Sequence, residues 1–211
     1  MKRLAIAGGG DLGRQLAHLA VQIGGYQPML YDDTLEIAEG SGDYPVQGKI
    51  ADIAEHFQAG VVDAFIIGIG YKHMTERDRL FRHLSKTVPA ATLVHPTAFI
   101  DPNASIDSGT ALLAGCIVDQ GASVGKNCYL NPGCLISHHT HISDNVFMGP
   151  RVTLAGFVDV DSHCFLGVST TVIDNVKITQ GVQTGAGAVV AESLTKSGLY
   201  LGVPASAKSI D

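Results

Sequence analysis

The chain has 211 residues, enough for one large domain or two small ones. Apolar residues make up 45% of it and charged residues only 16%, which excludes an intrinsically disordered protein. The net charge of −6 argues against nucleic acid as the main partner, because phosphate binding needs a basic surface. Residues 1–93 carry 9 basic and 11 acidic side chains, whereas residues 94–211 carry 5 and 9. This shift in charge density predicts two domains, residues 1–93 and 94–211.

Residues 1–93 alternate short apolar segments with segments of helical period. Strands are predicted at residues 3–7, 28–31, 64–69 and 91–94. Helices are predicted at residues 12–23, 50–57 and 75–85. Because strands that alternate with helices favour a parallel α/β sheet, we predict a Rossmann-like α/β domain here.

The first strand runs into Gly8-Gly9-Gly10-Asp11-Leu12-Gly13, which fits the pattern G-x-G-x-x-G. Backbone N–H groups at such a turn can hold a phosphate. Asp32 and Asp33 end the next strand, where a carboxylate can bind a ribose hydroxyl. An NAD-dependent dehydrogenase is one interpretation, although ninety residues hold only about half of a dinucleotide fold. A tight strand–helix turn without a ligand is the other.

Residues 94–211 follow a period of six. One position of each hexad carries a large apolar residue: Val94, Ile100, Ile106, Leu112, Val118, Val124, Leu130, Ile136, Ile142, Met148, Leu154, Val160, Leu166, Val172 and Ile178, then Thr184. The position four residues later carries a small one: Ala98, Ala104, Thr110, Cys116, Ala122, Cys128, Cys134, Thr140, Val146, Val152, Val158, Cys164, Thr170, Val176, Val182 and Ala188. No slip of register interrupts either series.

This period predicts a solenoid of triangular cross-section, with one short strand per hexad and three hexads per coil. The large residue fills the interior, and the small residue lies near a corner. All four cysteines occupy the small inward position, so we expect reduced core residues rather than disulfides or metal ligands. No apolar stretch approaches the length of a membrane span, and the opening apolar run stops at Gly8. We therefore expect a cytoplasmic protein without membrane contact.

The hexads resemble those of the hexapeptide-repeat acyltransferases. That resemblance implies a left-handed parallel β-helix and assembly as a homotrimer. An α/β domain joined to hexads through Leu93-Val94-His95-Pro96 is similar to the sugar O/N-acyltransferases, as are Pro45-Val46-Gln47-Gly48 and Gly202-Val203-Pro204-Ala205. The resemblance implies a nucleotide-sugar site in the first domain. Its residues would be Gly8, Gly9, Gly10, Asp11, Asp32, Asp33, Gly68 and Gly70.

The same resemblance assigns the general base to His138, in the hexad Ile136-Ser137-His138-His139-Thr140-His141. It also assigns the acyl-CoA site, to Asn131, Phe147, Gly156 and Ala186. Two positions depart from the family pattern. His139 stands where an acidic residue follows the base, and Phe147 stands where a second histidine contacts the thioester carbonyl.

A zinc site is an alternative interpretation of His138, His139 and His141. Adjacent residues of a strand point to opposite faces, which argues against this for His138 and His139, and we expect no metal.

The expected activity is transfer of an acyl group from acyl-CoA, with acetyl-CoA as the expected donor, to the amino group of a nucleotide-linked amino sugar. This would serve bacterial surface glycan biosynthesis. An O-acetyltransferase that acts on a sugar hydroxyl is one alternative. A non-catalytic β-helix that only binds nucleotide sugars is another, favoured by the departures at His139 and Phe147.

Overall fold

The computed structural model describes residues 1–35 and 44–208. The chain divides into two compact units, with the boundary between Leu93 and Val94. Among the helices in the described residues, we find none with the length and apolar character to cross a bilayer.

The first unit is a parallel sheet with helices between its strands. Its elements in chain order are β1 (Lys2–Ala7), α1 (Asp11–Ile23), β2 (Tyr26–Tyr31), β3 (Val46–Gly48), a 3-10 turn (Ile50–Asp52), α2 (Ile53–Gln58), β4 (Ala64–Ile67), a second 3-10 turn (Tyr71–His73) and α3 (Met74–Leu84). The sheet order is β3-β2-β1-β4, and all neighbouring strands are parallel. The carboxyl ends of these strands therefore meet at one edge of the sheet, where the connecting loops can form a site.

The strand predicted at residues 91–94 is only partly formed in this sheet. Ala90 makes an isolated parallel bridge to Phe65 of β4, and Ala91 N–H donates to Phe65 O at 2.8 Å, but Leu93–Val94 lies in another sheet. Val46–Gly48, at the opposite edge next to β2, was not predicted as a strand. A strand of three residues that alternates buried, exposed and buried has too short a pattern to be recognised from the sequence.

The second unit consists almost entirely of two-residue strands. In chain order they are β5 (Leu93–Val94), β6 (Phe99–Ile100), β7 (Ser105–Ile106), β8 (Ala111–Leu112), β9 (Ile117–Val118), β10 (Ser123–Val124), β11 (Tyr129–Leu130), β12 (Leu135–Ile136), β13 (His141–Ile142), β14 (Phe147–Met148), β15 (Thr153–Leu154), β16 (Asp159–Val160), β17 (Phe165–Leu166), β18 (Thr171–Val172), β19 (Lys177–Ile178), β20 (Val182–Thr184), β21 (Val189–Val190), β22 (Gly198–Leu201) and β23 (Ser206–Lys208).

In the part of the chain that the structure describes, these strands form three sheets of eight, six and five strands, and from β5 to β21 each successive strand enters the next sheet. Neighbours within a sheet are parallel and one coil apart, as in the pairing of Tyr129 with Phe147 and of Leu135 with Thr153. Among the strands of the described residues, β22 and β23 are the one antiparallel pair. The coil of three hexads is confirmed. Both repeated positions lie in one continuous core, fully buried from Leu112 onward and partly buried in the first coil.

The corners between sheets share one backbone conformation. Positive φ recurs at every sixth residue, at Gly109, Gly115, Gly121, Asn127, Gly133, His139, Asn145, Arg151, Phe157, His163, Ser169, Asn175, Gly181 and Gly187. The left-handed conformation costs most residues about 1–2 kcal/mol, while glycine and asparagine tolerate it. The corner requirement therefore accounts for six of the 25 glycines of the chain, and bulky residues at such corners are unusual.

The four cysteines point into this core as expected. Cys116, Cys128, Cys134 and Cys164, all within the described residues, form no disulfide and have no exposed surface. Burial raises the pKa of the Cys164 thiol to about 11, which disfavours the reactive thiolate. Each sulfur contacts a backbone carbonyl of its own or the next coil, as Cys134 Sγ does with Gly149 O at 3.3 Å.

We predict that these thiols are inert in the folded protein. A thiol reagent should label none of the four within the lifetime of the native state and all four in denaturant, because the solenoid must open to expose them. Mass spectrometry of the labelled chain gives the count. Rapid labelling under native conditions would contradict the core assignment.

Candidate active site

The first unit has a cavity of about 290 Å³ at the carboxyl edge of its sheet. It is lined by Gly8, Asp32, Asp33, Thr34, Ile50, Ile69, His73, Glu76 and Leu80. The structure thus brings together three of the residues that the sequence predicts for a nucleotide-sugar site. Gly9, Gly10, Asp11, Gly68 and Gly70 are not part of this lining.

Several of the predicted glycines have a packing role. A Cβ at Gly8 would lie 2.8 Å from the carbonyl oxygen of Gly68, and a Cβ at Gly68 would lie 2.8 Å from the Cα of Gly13. Helix α1 therefore approaches the ends of β1 and β4 closely enough to exclude any side chain at these points. In contrast, a Cβ at Gly10 or Gly70 would meet no heavy atom of the described residues within 4 Å. These two positions are open to a ligand.

Both carboxylate oxygens of Asp32 accept hydrogen bonds from the protein itself. One of its oxygens accepts the Gly9 N–H at 2.7 Å, and the other accepts the Thr34 N–H, the Thr34 hydroxyl and the Leu35 N–H. Burial alone would raise the pKa of this carboxyl, but the four hydrogen bonds outweigh it and lower the pKa to about 2. Asp32 thus fixes the glycine loop as a permanent carboxylate.

Asp33 is the carboxylate that remains available. It is exposed, and its Oδ1 accepts the Ile50 N–H at 2.9 Å. Its second oxygen takes part in no hydrogen bond with the described residues. Of the two aspartates, Asp33 is therefore the better candidate to bind a sugar hydroxyl.

Three contributors to this region have no sequence signal that marks them. His73 and Glu76 line the cavity from the start of α3. Arg77 is 1% exposed, and its Nη1 donates to the Ile69 carbonyl at 2.7 Å, which holds the loop between Gly68 and Gly70. An arginine within a polar helix looks like a surface residue until the fold buries it.

His138 and His139 lie at the corner between the six-stranded and five-stranded sheets. They form the turn between β12 and β13, so the argument that a strand would point them to opposite faces is wrong. His139 takes the left-handed conformation with φ 56°, and this turns its ring toward its neighbour. The Nδ1 atoms of the two rings are 3.3 Å apart, within hydrogen-bonding distance. Both side chains are exposed.

Gly156 makes room for the His138 ring on the next coil. A Cβ there would lie 2.5 Å from Cε1 and 2.7 Å from Nε2 of His138. The turn around Gly156 is fixed from inside by Thr140, whose hydroxyl donates to Ala155 O at 2.8 Å and accepts the Val158 N–H at 3.2 Å. The imidazole of His138 therefore lies on a rigid surface without side chains.

Phe157, which the sequence did not single out, completes this corner. Its ring stacks on His139 with centroids 5.0 Å apart and an interplanar angle of 8°, and it meets His138 edge-on at 5.2 Å. We call the three residues His138, His139 and Phe157 the aromatic corner.

The other residues predicted for the acyl-CoA site lie elsewhere on the solenoid. Asn131 and Ala186 are at the corner between the eight-stranded and six-stranded sheets, where Asn131 Nδ2 donates to Met148 O at 2.7 Å. Phe147 lies on the eight-stranded sheet, is 6% exposed, and stacks on Tyr129 at 4.9 Å. A single chain does not bring these three residues to the aromatic corner.

His141 is separate from the pair before it. It lies on β13, and its Nδ1 shares a hydrogen bond with the hydroxyl of Ser123 at 2.8 Å. It lines a cavity of about 480 Å³ on the five-stranded sheet together with Asp159 and Lys177. Across residues 1–35 and 44–208, we find no group of three His, Cys, Asp or Glu side chains placed to hold a metal ion.

Comparison with solved structures gives matches over nearly the whole chain. PerB of Caulobacter crescentus, a GDP-perosamine N-acetyltransferase in complex with CoA and GDP-perosamine, is 26% identical with a TM-score of 0.90, and the match covers 99% of this chain and 98% of that one. The acetyltransferase domain of PglB from Neisseria gonorrhoeae, with acetyl coenzyme A, is 22% identical with a TM-score of 0.91, over 98% and 99%. WeeI from Acinetobacter baumannii is 21% identical with a TM-score of 0.85, over 98% and 99%.

The chain has, over its full length, the fold of sugar acyltransferases of the hexapeptide family. The resemblance predicted from the hexads is thereby confirmed. Neither a family model nor a curated protein sequence matches this sugar acyltransferase. Its similarity to known proteins is therefore clearer in the comparison of structures than in the comparison of sequences.

We predict that Asp32 gives this sugar acyltransferase a pH-dependent stability. Because the folded-state pKa is about 2 against an ordinary 3.8, the stabilisation is complete above about pH 4 and is lost as the pH falls toward 2. In urea unfolding, Asp32→Asn should be less stable than the wild type at pH 7, and the difference should narrow below pH 4. Asp33→Asn is the control. The carboxylate it replaces accepts a single hydrogen bond, from Ile50 N–H, so the free energy of unfolding should change less. A difference for Asp32→Asn that does not vary with pH would contradict the assignment.

Proposed function

We propose that this enzyme transfers the acetyl group of acetyl-CoA to the amino group of a nucleotide-linked amino sugar. The observation that carries the proposal is the exposed imidazole of His138, held on the bare backbone of Gly156 at a corner of the solenoid. Similarity over the full chain to an N-acetyltransferase crystallised with CoA and GDP-perosamine supports the choice of both substrates.

His138 is proposed as the general base. An amine attacks a thioester carbonyl only when its nitrogen lone pair is free, and an imidazole that titrates near neutral pH is suited to take the proton. Nε2 of His138 would accept the proton as the new C–N bond forms. The C–S bond then breaks, and the same proton can pass to the departing thiolate. The imidazole is thereby regenerated, and no covalent acyl-enzyme is needed.

The negative charge that develops on the carbonyl oxygen needs a hydrogen-bond donor. Phe147 cannot supply one, since its side chain has none. On the coil above His138, the N–H groups of Ala155 and Phe157 are used by Val172 O and His138 O. The Gly156 N–H donates to no acceptor among the described residues. We therefore assign the oxyanion contact to the Gly156 N–H.

The Rossmann-like first unit is proposed to bind the nucleotide part of the acceptor. Gly10 and Gly70 leave open backbone beside the cavity, and Gly10 is the N-cap residue of α1, so the N-terminal N–H groups of this helix can meet a phosphate. Asp33 offers a free carboxylate oxygen to a sugar hydroxyl. Asp32 would act indirectly, by fixing the loop.

The acyl donor is proposed to bind between two copies of a trimer whose coils wind left-handed. Asn131, Phe147 and Ala186 lie away from the corner that holds His138, as expected if one copy supplies the base and its neighbour the acyl-CoA site. The small, exposed Ala186 leaves room for a thioester. Since acetyl-CoA and nucleotide sugars are cytoplasmic metabolites, we place the reaction in the cytoplasm, in bacterial surface glycan biosynthesis.

We predict that His138→Ala abolishes acetyl transfer without disturbing the fold. The side chain is exposed, so its removal leaves no cavity in the core. Turnover with acetyl-CoA and a panel of UDP-, GDP- and dTDP-linked amino sugars should fall by roughly 10²–10⁴-fold, the usual effect of losing a positioned base. Release of CoA, followed with a thiol reagent, measures the rate.

His141→Ala is the matched control, because it removes a histidine from the same hexad that lies outside the aromatic-ring contacts of His138, and it should retain most of the activity. Transfer of the acetyl group to a hydroxyl of these sugars, rather than to their amino group, would instead establish an O-acetyltransferase. Binding of nucleotide sugars without any CoA release by the wild type would identify a non-catalytic β-helix. Unchanged turnover in His138→Ala would refute the assigned base.

We predict that the active site is shared between copies of the chain. Light scattering should give about three times the chain mass of 22.1 kDa. His138→Ala and Ala186→Trp should each be inactive as pure trimers, the second because the large ring fills the thioester site. Mixed trimers prepared by co-expression should regain about a quarter of the sites, since some interfaces then combine two intact surfaces. A monomeric enzyme, or mixed trimers without activity, would contradict this assembly.

A further inference from the structure

We infer that the aromatic corner replaces the carboxylate that the family places beside its base: Phe157 holds the His139 ring, and His139 Nδ1 accepts a hydrogen bond from His138 Nδ1–H. His138 Nε2 is thereby left bare for the incoming amine proton. The inference rests on the proposed function, since it concerns how the proposed base is positioned. Phe157 and His139 are positioning residues in this account.

The geometry of the corner supports this role. The His139 and Phe157 planes are within 8° of parallel, whereas the His138 ring is nearly perpendicular to both, at 77° and 82°. The stack thus fixes the rotation of His139 and aims its Nδ1 at the Nδ1 of His138, 3.3 Å away. Gly121 lies below the same ring, where a Cβ would be 3.1 Å from His139 Cδ2. His139 is therefore held between Gly121 and Phe157.

Phe157 is a corner residue that lies outside the hydrophobic core of the solenoid. Its backbone has φ 58°, a conformation that a bulky residue rarely takes, and its side chain is 52% exposed. The equivalent corners one coil above and two coils below carry Asn175 and Gly121, which suit this backbone. A strained and exposed phenylalanine contributes nothing to the core. The contacts that accompany this strained backbone are those of its ring with the two histidines.

No carboxylate of the described residues reaches either ring. Asp119, on the coil below, accepts the Gln120 N–H, and Asp174, two coils up from His138, accepts from Asn175 Nδ2. On the strand that follows, His141 bonds to Ser123, and Asp159 pairs with Lys177 at 3.6 Å. These are the titratable and charged groups around the corner. The orienting partner of His138 is thus an imidazole rather than a carboxylate.

An imidazole partner has a consequence that a carboxylate would not have. An added proton on His139 makes its Nδ1 a donor, which can no longer accept the Nδ1–H of His138. Two adjacent imidazolium ions also repel each other, so the first proton bound by the pair disfavours the second. Acid should therefore remove the base and the orienting hydrogen bond in two separate steps.

The decisive variants alter the stack and leave the base in place. Phe157→Leu keeps apolar bulk but loses the flat ring. Its kcat should fall by about tenfold or more, up to the roughly 10²–10⁴-fold lost with the base itself, and its KM should change little. Phe157→Tyr keeps the ring and should retain activity. Phe157→Asn suits the corner, so it should unfold at an equal or higher temperature while losing activity as Phe157→Leu does. Loss of activity without loss of stability distinguishes positioning from a structural role.

A spectroscopic measurement tests the tautomer directly. In ¹⁵N NMR spectra of the imidazoles at high pH, His138 should carry its proton on Nδ1 in the wild type and in Phe157→Tyr. It should shift toward the Nε2–H form in Phe157→Leu and His139→Ala. His139→Asp should restore the Nδ1–H form, and the acid limb of its pH–rate profile should move to higher pH, because a carboxylate favours the imidazolium.

The outcomes separate this inference from the proposed function. If His138→Ala is inactive while Phe157→Leu and His139→Ala match the wild type in kcat and tautomer, the base stands and the positioning pair is refuted. If His138→Ala is fully active, the proposed function and the inference both fail. If Phe157→Leu loses stability together with activity while Phe157→Asn is fully active, Phe157 only packs against its neighbours. That result would overturn the inference.

Discussion

The hydrogen bonds between successive coils are the constraint on which the second unit depends. Each strand contributes only two residues, so the ladder survives only if every coil has the same length and returns to the same place. The corners make this possible, because one left-handed residue every six turns the chain and still lets its N–H donate to the coil below, as His139 N–H does to Gln120 O. Interior size, corner conformation and hydrogen bonding must all agree in every hexad.

This agreement explains why the solenoid was predictable. A large and a small inward residue repeat in every hexad, so the period is visible even though each strand is too short to recognise alone. The first unit lacks such redundancy. Val46–Gly48 occurs once, and its three residues carry no pattern that would distinguish a strand from a loop. The α/β class could be predicted from the alternation of elements, but the identity of one strand could not.

The site was predictable to a lesser degree. Resemblance located His138 and Gly156, which the structure brings together, but the treatment of His138 and His139 as strand residues was wrong because a corner lies between β12 and β13. Phe157 was missed for a different reason. Its contact with His139 joins residues one coil apart, and nothing in the local sequence distinguishes it from an ordinary surface aromatic. Asp32 was assigned to a ligand because its hydrogen bonds to the glycine loop are tertiary.

The strict coil length also limits how such an enzyme can change in evolution. Inserting one residue into a strand would turn every following apolar side chain outward, so the solenoid tolerates changes of length only as loops that leave a corner. Along residues 94–190 the hexads run without such a loop. Within this solenoid, a new surface contact must therefore arise by substitution at outward positions. The aromatic corner, which uses two such positions on adjacent coils, would be one product of that restricted route.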